Sequence, residues 1–226
     1  MDQHWDDLVH QFCAVSDGLG MPIDDEIFEM VVALNALGIT TTMSCAGHIT
    51  RDDGDVRYPW VDFSASDATI QHLDAEEQKL HKKAMKWQKK LTRVRKKDVA
   101  RAERRACEEK SHAAWHAYHA LGHQQRKLQV PLRQQVVAYL VQFYDGRNVP
   151  FDRRLTLRVL STNTRIESQG AADFHLCEPR DRQVQKLAEY RDEMRDFTEF
   201  LKKIYISQRA EGASELEKAE TASPHA

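Results

Sequence analysis

The stretch from Asp67 to about Arg126 constrains the fold most, because it contains no proline and a single glycine, Gly122. Its apolar residues recur at steps of three, four and seven, which is the spacing of a coiled-coil seam. One straight helix of about 60 residues would be about 90 Å long at about 1.5 Å per residue. We therefore expect a bend or hairpin between Lys96 and Ser111, although no turn residue marks it. The seam consists of Leu73, Leu80, Ala84, Trp87, Leu91 and Val94.

Shorter patterns flank this stretch and mix helices with strands. Helical spacing is present over 4–17 and in PIDDEIFEMVVALNALG, where Asp24 or Asp25 can cap the helix and Gly38 can end it. A further helix is expected from just after Pro179 to about Gln208. Alternating or β-branched runs predict short strands at 39–43, 59–63, 153–161, 165–169 and 173–177.

These patterns predict an α+β fold with a small mixed sheet. We expect residues 1–65 and 150–178 to form the body, with residues 66–149 as a helical, coiled-coil insertion. The C-terminal helix, 179–210, should pack on the insertion, and the aperiodic residues 211–226 should be a disordered tail. Pro131 is expected to end or restart a helix within the insertion.

Composition narrows the class of protein. The four cysteines stand far apart in a chain of 226 residues, which is typical of a reducing compartment rather than of a disulfide framework. The acidic first residues contain no apolar run, and no stretch approaches the roughly 20 apolar residues of a spanning helix. We therefore expect a cytoplasmic protein with no membrane partner. The formal net charge of −2 gives the whole chain no electrostatic case for nucleic acid.

The segment GITTTMSCAGHIT, from Gly38 to Thr50, concentrates small reactive side chains at the end of a predicted strand. Ser44, Cys45 and His48 place a hydroxyl, a thiol and an imidazole within five residues. Gly47 permits a tight turn in which a ligand can approach the backbone, and consecutive N–H groups there can cradle an anion. We predict that this loop binds a ligand, with an ordinary turn as the alternative.

The 26 residues DDEIFEMVVALNALGITTTMSCAGHI resemble a segment of the tRNA wybutosine-synthesis methyltransferase family. In that family a helix leads into a strand and a Thr-Thr-Ser-Ser-Cys-Ser-Gly-Arg motif. The resemblance implies a small α+β fold, a ligand site at this loop, and S-adenosylmethionine as the cofactor of a tRNA-modifying reaction. His48 stands where the family has arginine, and Met43 stands where it has serine. The matching residues are Thr41, Thr42, Ser44, Cys45, Gly47 and Ile49.

A zinc site is an alternative use of the same loop. Cys45 and His48 have the spacing of a zinc-binding pair. His175 and Cys177, from a later predicted strand, could supply the other two ligands of a tetrahedral site. The opposing interpretation is two core cysteines and two unrelated histidines.

Trp60, Asp62, Arg165 and Glu167 are candidate helpers of the loop. Trp60 could stack on a base, Asp62 or Glu167 could bind ribose hydroxyls or act as a general base, and Arg165 could hold a phosphate. The alternation of the run PWVDF places Trp60 and Asp62 on the same face of a strand. These roles require the two strand regions to face one another, and the alternative is that all four are ordinary surface residues.

The segment 79–110 carries fourteen lysines and arginines against four aspartates and glutamates. Such a run could follow the phosphate backbone of RNA. The alternative is a solvated helix face or a contact between copies of the chain, and we expect a homo-oligomer formed through the helices.

The ligand expected at the Ser44–His48 loop is a nucleotide-like small molecule. Three functions stay open at this point. The first is an S-adenosylmethionine-dependent transferase that modifies RNA, and the second is a non-catalytic module that sequesters a nucleotide metabolite. The third is a coiled-coil interaction protein with a structural zinc or no ligand.

Overall fold

The computed structural model describes residues 3–16, 21–49, 56–65, 68–96, 99–160, 163–171 and 178–221. The chain has an α+β fold and divides into two compact units. The first unit combines Met1–Ser64 with Leu132–Ala226, and the second is Ala65–Pro131. None of the described helices is long and apolar enough to cross a membrane.

Five helices and six strands are present in the described part of the chain. The helices are α1 (Gln3–Phe12), α2 (Asp25–Ala36), α3 (Ala68–Arg95), α4 (Arg101–Tyr144) and α5 (Arg180–Thr221). The strands are β1 (Thr41–Cys45), β2 (His48–Ile49), β3 (Val56–Arg57), β4 (Trp60–Phe63), β5 (Leu155–Val159) and β6 (Thr164–Ser168). Short 3₁₀ turns cover Phe151–Arg153 and Gln169–Ala171.

The main sheet has the strand order β1-β4-β6-β5, and β2 pairs with β3 in a separate small ladder. Every described strand pair is antiparallel, so the expectation of a mixed sheet is wrong. Only a few residues join β5 to β6, and such short connections permit antiparallel neighbours only. The strands predicted at 59–63 and 165–169 are confirmed, and β1 pairs with β4 while RIESQ contributes most of β6, which pairs with β5. The strand predicted at 173–177 lies outside the described residues.

The two faces of β4 differ as the alternation predicts. Val61 and Phe63 are fully buried in the core, together with Ile166 of β6. Trp60 and Asp62 are directly opposite residues of β6, so they share the other face with those partners. One face of the sheet therefore packs against the core, and the other face presents polar and charged side chains.

Helices α2 and α5 cover the apolar face of the sheet. The same core includes Val136 and Phe143, which lie in the last part of α4, and Phe197 of α5. The C-terminal helix therefore packs within the first unit, on α2 and the end of α4. Residues 132–149 belong to this unit as well, so the insertion is shorter than the predicted 66–149. The reason is that apolar residues of the segment 132–144 pack in the core of the body.

Helix α2 ends as predicted and begins differently. Gly38 has a φ of +77°, and its N–H donates to Asn35 O at 2.9 Å, so the glycine terminator is confirmed. Asp24 occupies the N-cap position, but its side chain makes no capping hydrogen bond. The expectation that Asp24 caps α2 is therefore wrong, because its carboxylate has a partner elsewhere in the fold.

Helices α4 and α5 are longer than expected. Pro131 lies inside α4, so it neither ends nor restarts the helix. Its missing N–H removes one helical hydrogen bond, but the helix continues, and Val136 beyond it is fully buried in the core of the first unit. Helix α5 continues to Thr221, so the disordered tail predicted from residue 211 is wrong for 211–221. That segment is rich in Glu and Ala, which are strong helix formers.

The second unit contains a helical hairpin. Helix α3 ends at Arg95 and α4 begins at Arg101, close to the start of the predicted turn region. Arg95 pairs with Glu108 at 3.2 Å, and Ser111 donates to the Gln88 side chain at 3.2 Å, so the two helices run antiparallel. Three residues of the predicted seam, Ala84, Leu91 and Val94, are buried there.

Candidate functional site

The loop after β1 is held from two sides by charged residues. The carboxylate of Asp24 accepts the N–H of Ala46 at 2.9 Å. Arg191 of α5 donates to the carbonyl oxygens of Ala46, at 2.9 Å, and Gly47, at 2.6 Å. Charge-assisted bonds of this kind are stronger than neutral ones. They tie the loop to the start of α2 and to α5.

Gly47 is required by packing and by backbone conformation. Its φ is +77°, a region that side chains with a Cβ rarely adopt. A Cβ at this position would lie 2.6 Å from Arg57 O and 2.9 Å from Pro59 N. The N–H of Gly47 donates to Cys45 Sγ at 3.3 Å, and the preceding amide is bonded to Asp24. The two amides expected to cradle an anion are therefore already used within the protein.

Cys45 and His48 form a contact within the loop. Cys45 Sγ and His48 Nδ1 are 3.7 Å apart, and the thiol is half-buried. Burial raises the pKa of the Cys45 thiol, and the hydrogen bond from Gly47 and the nearby arginines offset only part of that rise. A thiol of this kind stays protonated at neutral pH, which disfavours a role as a nucleophile.

The other two predicted zinc ligands, His175 and Cys177, lie outside the described residues. Within the described part of the chain, no group of three or more His, Cys, Asp or Glu side chains could hold a metal ion.

The polar face of the sheet contains a cavity of about 280 Å³, which we name the arginine cavity. It includes three of the four predicted helpers of the loop, Trp60, Arg165 and Glu167. Direct pairing of β4 with β6 brings them together, which confirms that the two strand regions are neighbours. The complete lining is Arg57, Tyr58, Trp60, Arg158, Arg165, Glu167 and Ala171.

Asp62 and Arg165 form a two-pronged ion pair beneath this cavity. Arg165 donates to Asp62 through Nε at 2.7 Å and through Nη2 at 3.0 Å. The Asp62 side chain is only 4% exposed, so its carboxylate pairs with Arg165 and is poorly accessible to a ligand. Burial lowers the pKa of the Arg165 guanidinium, but its bonds to Asp62 raise the pKa by more, so Arg165 stays cationic.

Arg165 also covers the ring of Trp60. Its guanidinium carbon lies 3.7 Å from the centre of the Trp60 ring, a distance at which cation–π attraction is strong. Trp60 is thus already stacked on one side. The guanidinium and the indole together form a flat, cationic platform.

Arg57 and Arg158 complete the cavity, and the sequence did not single them out. Arg158 lies directly opposite Arg165 on β5 and donates to Glu167 at 3.0 Å. Its side chain is 53% exposed, whereas that of Glu167 is 10% exposed. Only the pairing of β5 with β6 places Arg158 beside Arg165.

Thr41, Thr42 and Ser44 line a different cavity, of about 390 Å³, which we name the hydroxyl cavity. The side chains of Asn35 and Thr41 hydrogen bond there at 2.8 Å, and the Thr42 hydroxyl donates to Asp62 O at 3.3 Å. Three predicted ligand-binding residues therefore line each cavity, whereas Cys45, Gly47, His48 and Asp62 line neither. The hydroxyl cavity is lined by Phe12, Val15, Ser16, Met21, Pro22, Ile23, Asp24, Val31, Asn35, Thr41, Thr42, Met43 and Ser44.

Comparison with protein-family models, curated proteins and solved structures found no match to the chain.

Proposed function

We propose that the protein binds a nucleotide-like small molecule in the arginine cavity, beside the Ser44–His48 loop. The observation that carries the proposal is the convergence of three guanidinium groups and an indole ring on one cavity. Carboxylates on this face are already paired with arginines, at Asp62 and Glu167. The described lining of the cavity contains three guanidinium groups and one carboxylate. An anionic ligand with a flat ring fits that balance.

In this proposal, the anionic end of the ligand binds to Arg57 and Arg158. A guanidinium presents several N–H donors in a planar fork that matches a phosphate or carboxylate. Arg158 is half exposed, so its guanidinium can donate to a ligand while its bond to Glu167 persists. Glu167 is nearly buried and keeps Arg158 on the cavity side of the strand.

The flat end of the ligand belongs with Trp60 and Arg165. Bases stack on aromatic rings and on guanidinium planes without regard to base identity. The ion pair with Asp62 holds Arg165 in place before a ligand arrives, which reduces the entropy lost on binding. The volume of about 280 Å³ is close to the lower end of the usual range for ligand sites, so the ligand is a mononucleotide or smaller.

Isothermal titration calorimetry with nucleoside monophosphates and the matching nucleosides tests this proposal. We expect saturable binding of the monophosphates, weaker binding of the nucleosides, and a loss of about 5- to 150-fold in Trp60→Leu, since one stacked base contributes about 1–3 kcal/mol. Trp87→Leu is the control, because Trp87 lies in the second unit. Equal affinity of the monophosphates for Trp60→Leu and Trp87→Leu would contradict the proposal, and so would an absence of binding to the wild type.

Two versions of this function are distinguished by turnover. As a transferase, the protein would consume S-adenosylmethionine when RNA is present, in keeping with the resemblance of the Ser44–His48 loop. As a sequestering module, it would release its nucleotide unchanged on heat denaturation. The second version is favoured because Asp62 and Glu167, the predicted carboxylates on this face, are both engaged by arginines rather than free to act as a base. Methyl transfer from labelled S-adenosylmethionine to bulk tRNA, at a rate that scales with protein, would overturn that preference.

A second candidate function is RNA binding by the helical hairpin of the second unit. Residues 65–131 carry sixteen lysines and arginines against eight aspartates and glutamates, so this unit is +8 while the rest of the chain is −10. Lys82, Lys86, Lys89 and Arg93 lie along one face of α3 and line an open groove. These four residues span about 16 Å along the helix, at about 1.5 Å per residue.

Fluorescence anisotropy with a labelled single-stranded RNA measures this second function. We expect affinity that falls steeply with salt and that drops in Lys86→Ala/Lys89→Ala, because each phosphate contact releases counterions. The control is Arg195→Ala/Lys203→Ala, which removes the same charge from α5. Binding without salt dependence, or equal affinity of the two double variants, would argue against the groove as the RNA contact.

A further inference from the structure

The hydroxyl cavity has the opposite electrostatic character to the arginine cavity. Among its described lining residues there is no lysine, arginine or histidine, and Asp24 carries a formal negative charge. The described linings of the two cavities have no residue in common. The two cavities are therefore separate, and their described linings differ in the sign of the formal charge.

The walls of the hydroxyl cavity combine an apolar surface with hydrogen-bond acceptors. Its volume of about 390 Å³ lies within the usual range for small-molecule sites. The side chains of Phe12, Val31 and Met43 supply apolar surface, and the hydroxyls of Thr42 and Ser44 supply acceptors. Such a cavity suits a ligand with an apolar body and one polar end.

The polar groups around the cavity differ in how much of their hydrogen-bonding capacity is already used within the protein. The Asn35 amide is engaged, since Nδ2 donates to Val31 O at 2.7 Å and to Thr41 Oγ1 at 2.8 Å. Asp24 uses Oδ2 to accept the Ala46 N–H at 2.9 Å. A carboxylate has two oxygens and about four lone-pair directions, so Asp24 can accept further donors while that bond persists. A hydroxyl such as that of Thr42 can also accept while it donates to Asp62 O.

We propose that the hydroxyl cavity is a second ligand site, which takes an organic amine. The ammonium group lies against Asp24 and within reach of the hydroxyls of Thr42 and Ser44, and the apolar body fills the space lined by Phe12, Val31 and other apolar side chains. Ammonium is favoured because it offers three donors and no acceptor to a cavity whose charged group is a carboxylate. The same carboxylate repels anions, so this site does not compete for the ligand of the arginine cavity.

A matched series of probes tests the charge selectivity directly in the wild-type protein. The probes are 2-phenylethylamine, 2-phenylethanol and phenylacetate, which share an apolar body and differ in the charge of the polar end. Protein-observed NMR titration of the full chain should show saturable shifts of the Thr42, Met43 and Ser44 amides. We expect the amine to bind at least about 10-fold more tightly than phenylacetate, since a hydrogen bond to a charged group contributes about 1.5–3 kcal/mol.

Asp24→Asn identifies the group responsible. The asparagine oxygen can still accept the Ala46 N–H, so the loop is retained while the charge is lost, and the preference for the amine over the alcohol should disappear. Asp25→Asn is the control, because Asp25 is exposed in the first turn of α2 and does not line the cavity. Equal binding of the amine and phenylacetate to the wild type, or shifts confined to residues away from the cavity, would overturn the proposal. The wild-type series decides the matter even if Asp24→Asn fails to fold. Nucleotide binding to the arginine cavity is measured separately and can succeed or fail independently.

Discussion

Arg165 of β6 donates two hydrogen bonds to Asp62 of β4, at 2.7 and 3.0 Å, although the two residues are 103 positions apart in the chain. Because both lie on the polar face of the sheet, the pair fixes the guanidinium over Trp60. The same pair thus joins two distant segments of the body and builds one wall of the arginine cavity. Stability and ligand binding should both depend on it.

Arg165→Lys should destabilise the protein by about 1–3 kcal/mol, because lysine cannot make the two-pronged contact and leaves a nearly buried carboxylate poorly paired. Arg158→Lys should cost less than about 1 kcal/mol, since the pair with Glu167 is partly solvated. Urea denaturation of both variants at neutral pH measures the difference. Equal losses would show that the Asp62 pair has no special structural role.

Gly47→Ala should destabilise the protein more than Gly146→Ala, by about 2 kcal/mol. Both glycines have positive φ, so both substitutions strain the backbone by about 1–2 kcal/mol. Only Gly47 also meets backbone atoms, with Arg57 O at 2.6 Å, whereas a Cβ at Gly146 meets nothing within 4 Å. Thermal and urea unfolding of the two variants would refute this reasoning if they gave the same loss.

The Cys45 thiol should react slowly with iodoacetamide at neutral pH. Burial raises its pKa, and only the thiolate reacts, so the rate should rise about 10-fold per pH unit until the pH passes the ordinary thiol pKa of about 8.5. The rate is followed by peptide mass spectrometry, with the exposed Cys13 in the same sample as the internal standard. A plateau in the Cys45 rate below that pH would mean that the thiol is activated rather than suppressed.

Asp152→Asn should lower stability at neutral pH and have a smaller effect in acid. Burial raises the pKa of the Asp152 carboxyl, but the hydrogen bond and charge of Lys186 lower it by more, so the folded pKa lies below the unfolded value of about 3.9. The stabilisation is therefore present above the unfolded pKa and is lost as the pH falls through the folded one.

Urea denaturation at pH 7, 5, 4 and 3, chosen to bracket a carboxyl pKa of about 3.9, measures that dependence. Asp192→Asn is the control, because Asp192 is 57% exposed and pairs with a neighbouring arginine on α5. A constant difference between Asp152→Asn and the wild type across these pH values would contradict the coupling to Lys186.

Local patterns in the sequence predicted much of this body. Gly38 ends α2 because a residue without a Cβ readily adopts the left-handed conformation there. This one glycine was therefore enough to predict where the helix ends. The period-two alternation of β4 assigned Trp60 and Asp62 to one face and Val61 to the other. Such inferences depend on neighbours within a few residues.

Pairings between distant segments were not predictable in the same way. Asp24 was expected to cap α2, and only the fold shows that Ala46, rather than the first turn of α2, supplies the donor. Arg57 and Arg158 come from a two-residue strand and an edge strand, so no motif marked them. Pro131 was misread because packing of the flanking turns overrides its local preference.

The most direct test of the nucleotide site is a calorimetric titration of AMP and adenosine into the wild type and into Arg57→Gln/Arg158→Gln. The control is Arg182→Gln/Arg195→Gln, which removes the same charge from exposed positions on α5. We predict that the wild type and the control prefer AMP over adenosine, and that the cavity variant loses at least about 10-fold in AMP affinity while its affinity for adenosine changes little. AMP binding that is unchanged by Arg57→Gln/Arg158→Gln, or absent from the wild type, would contradict the account.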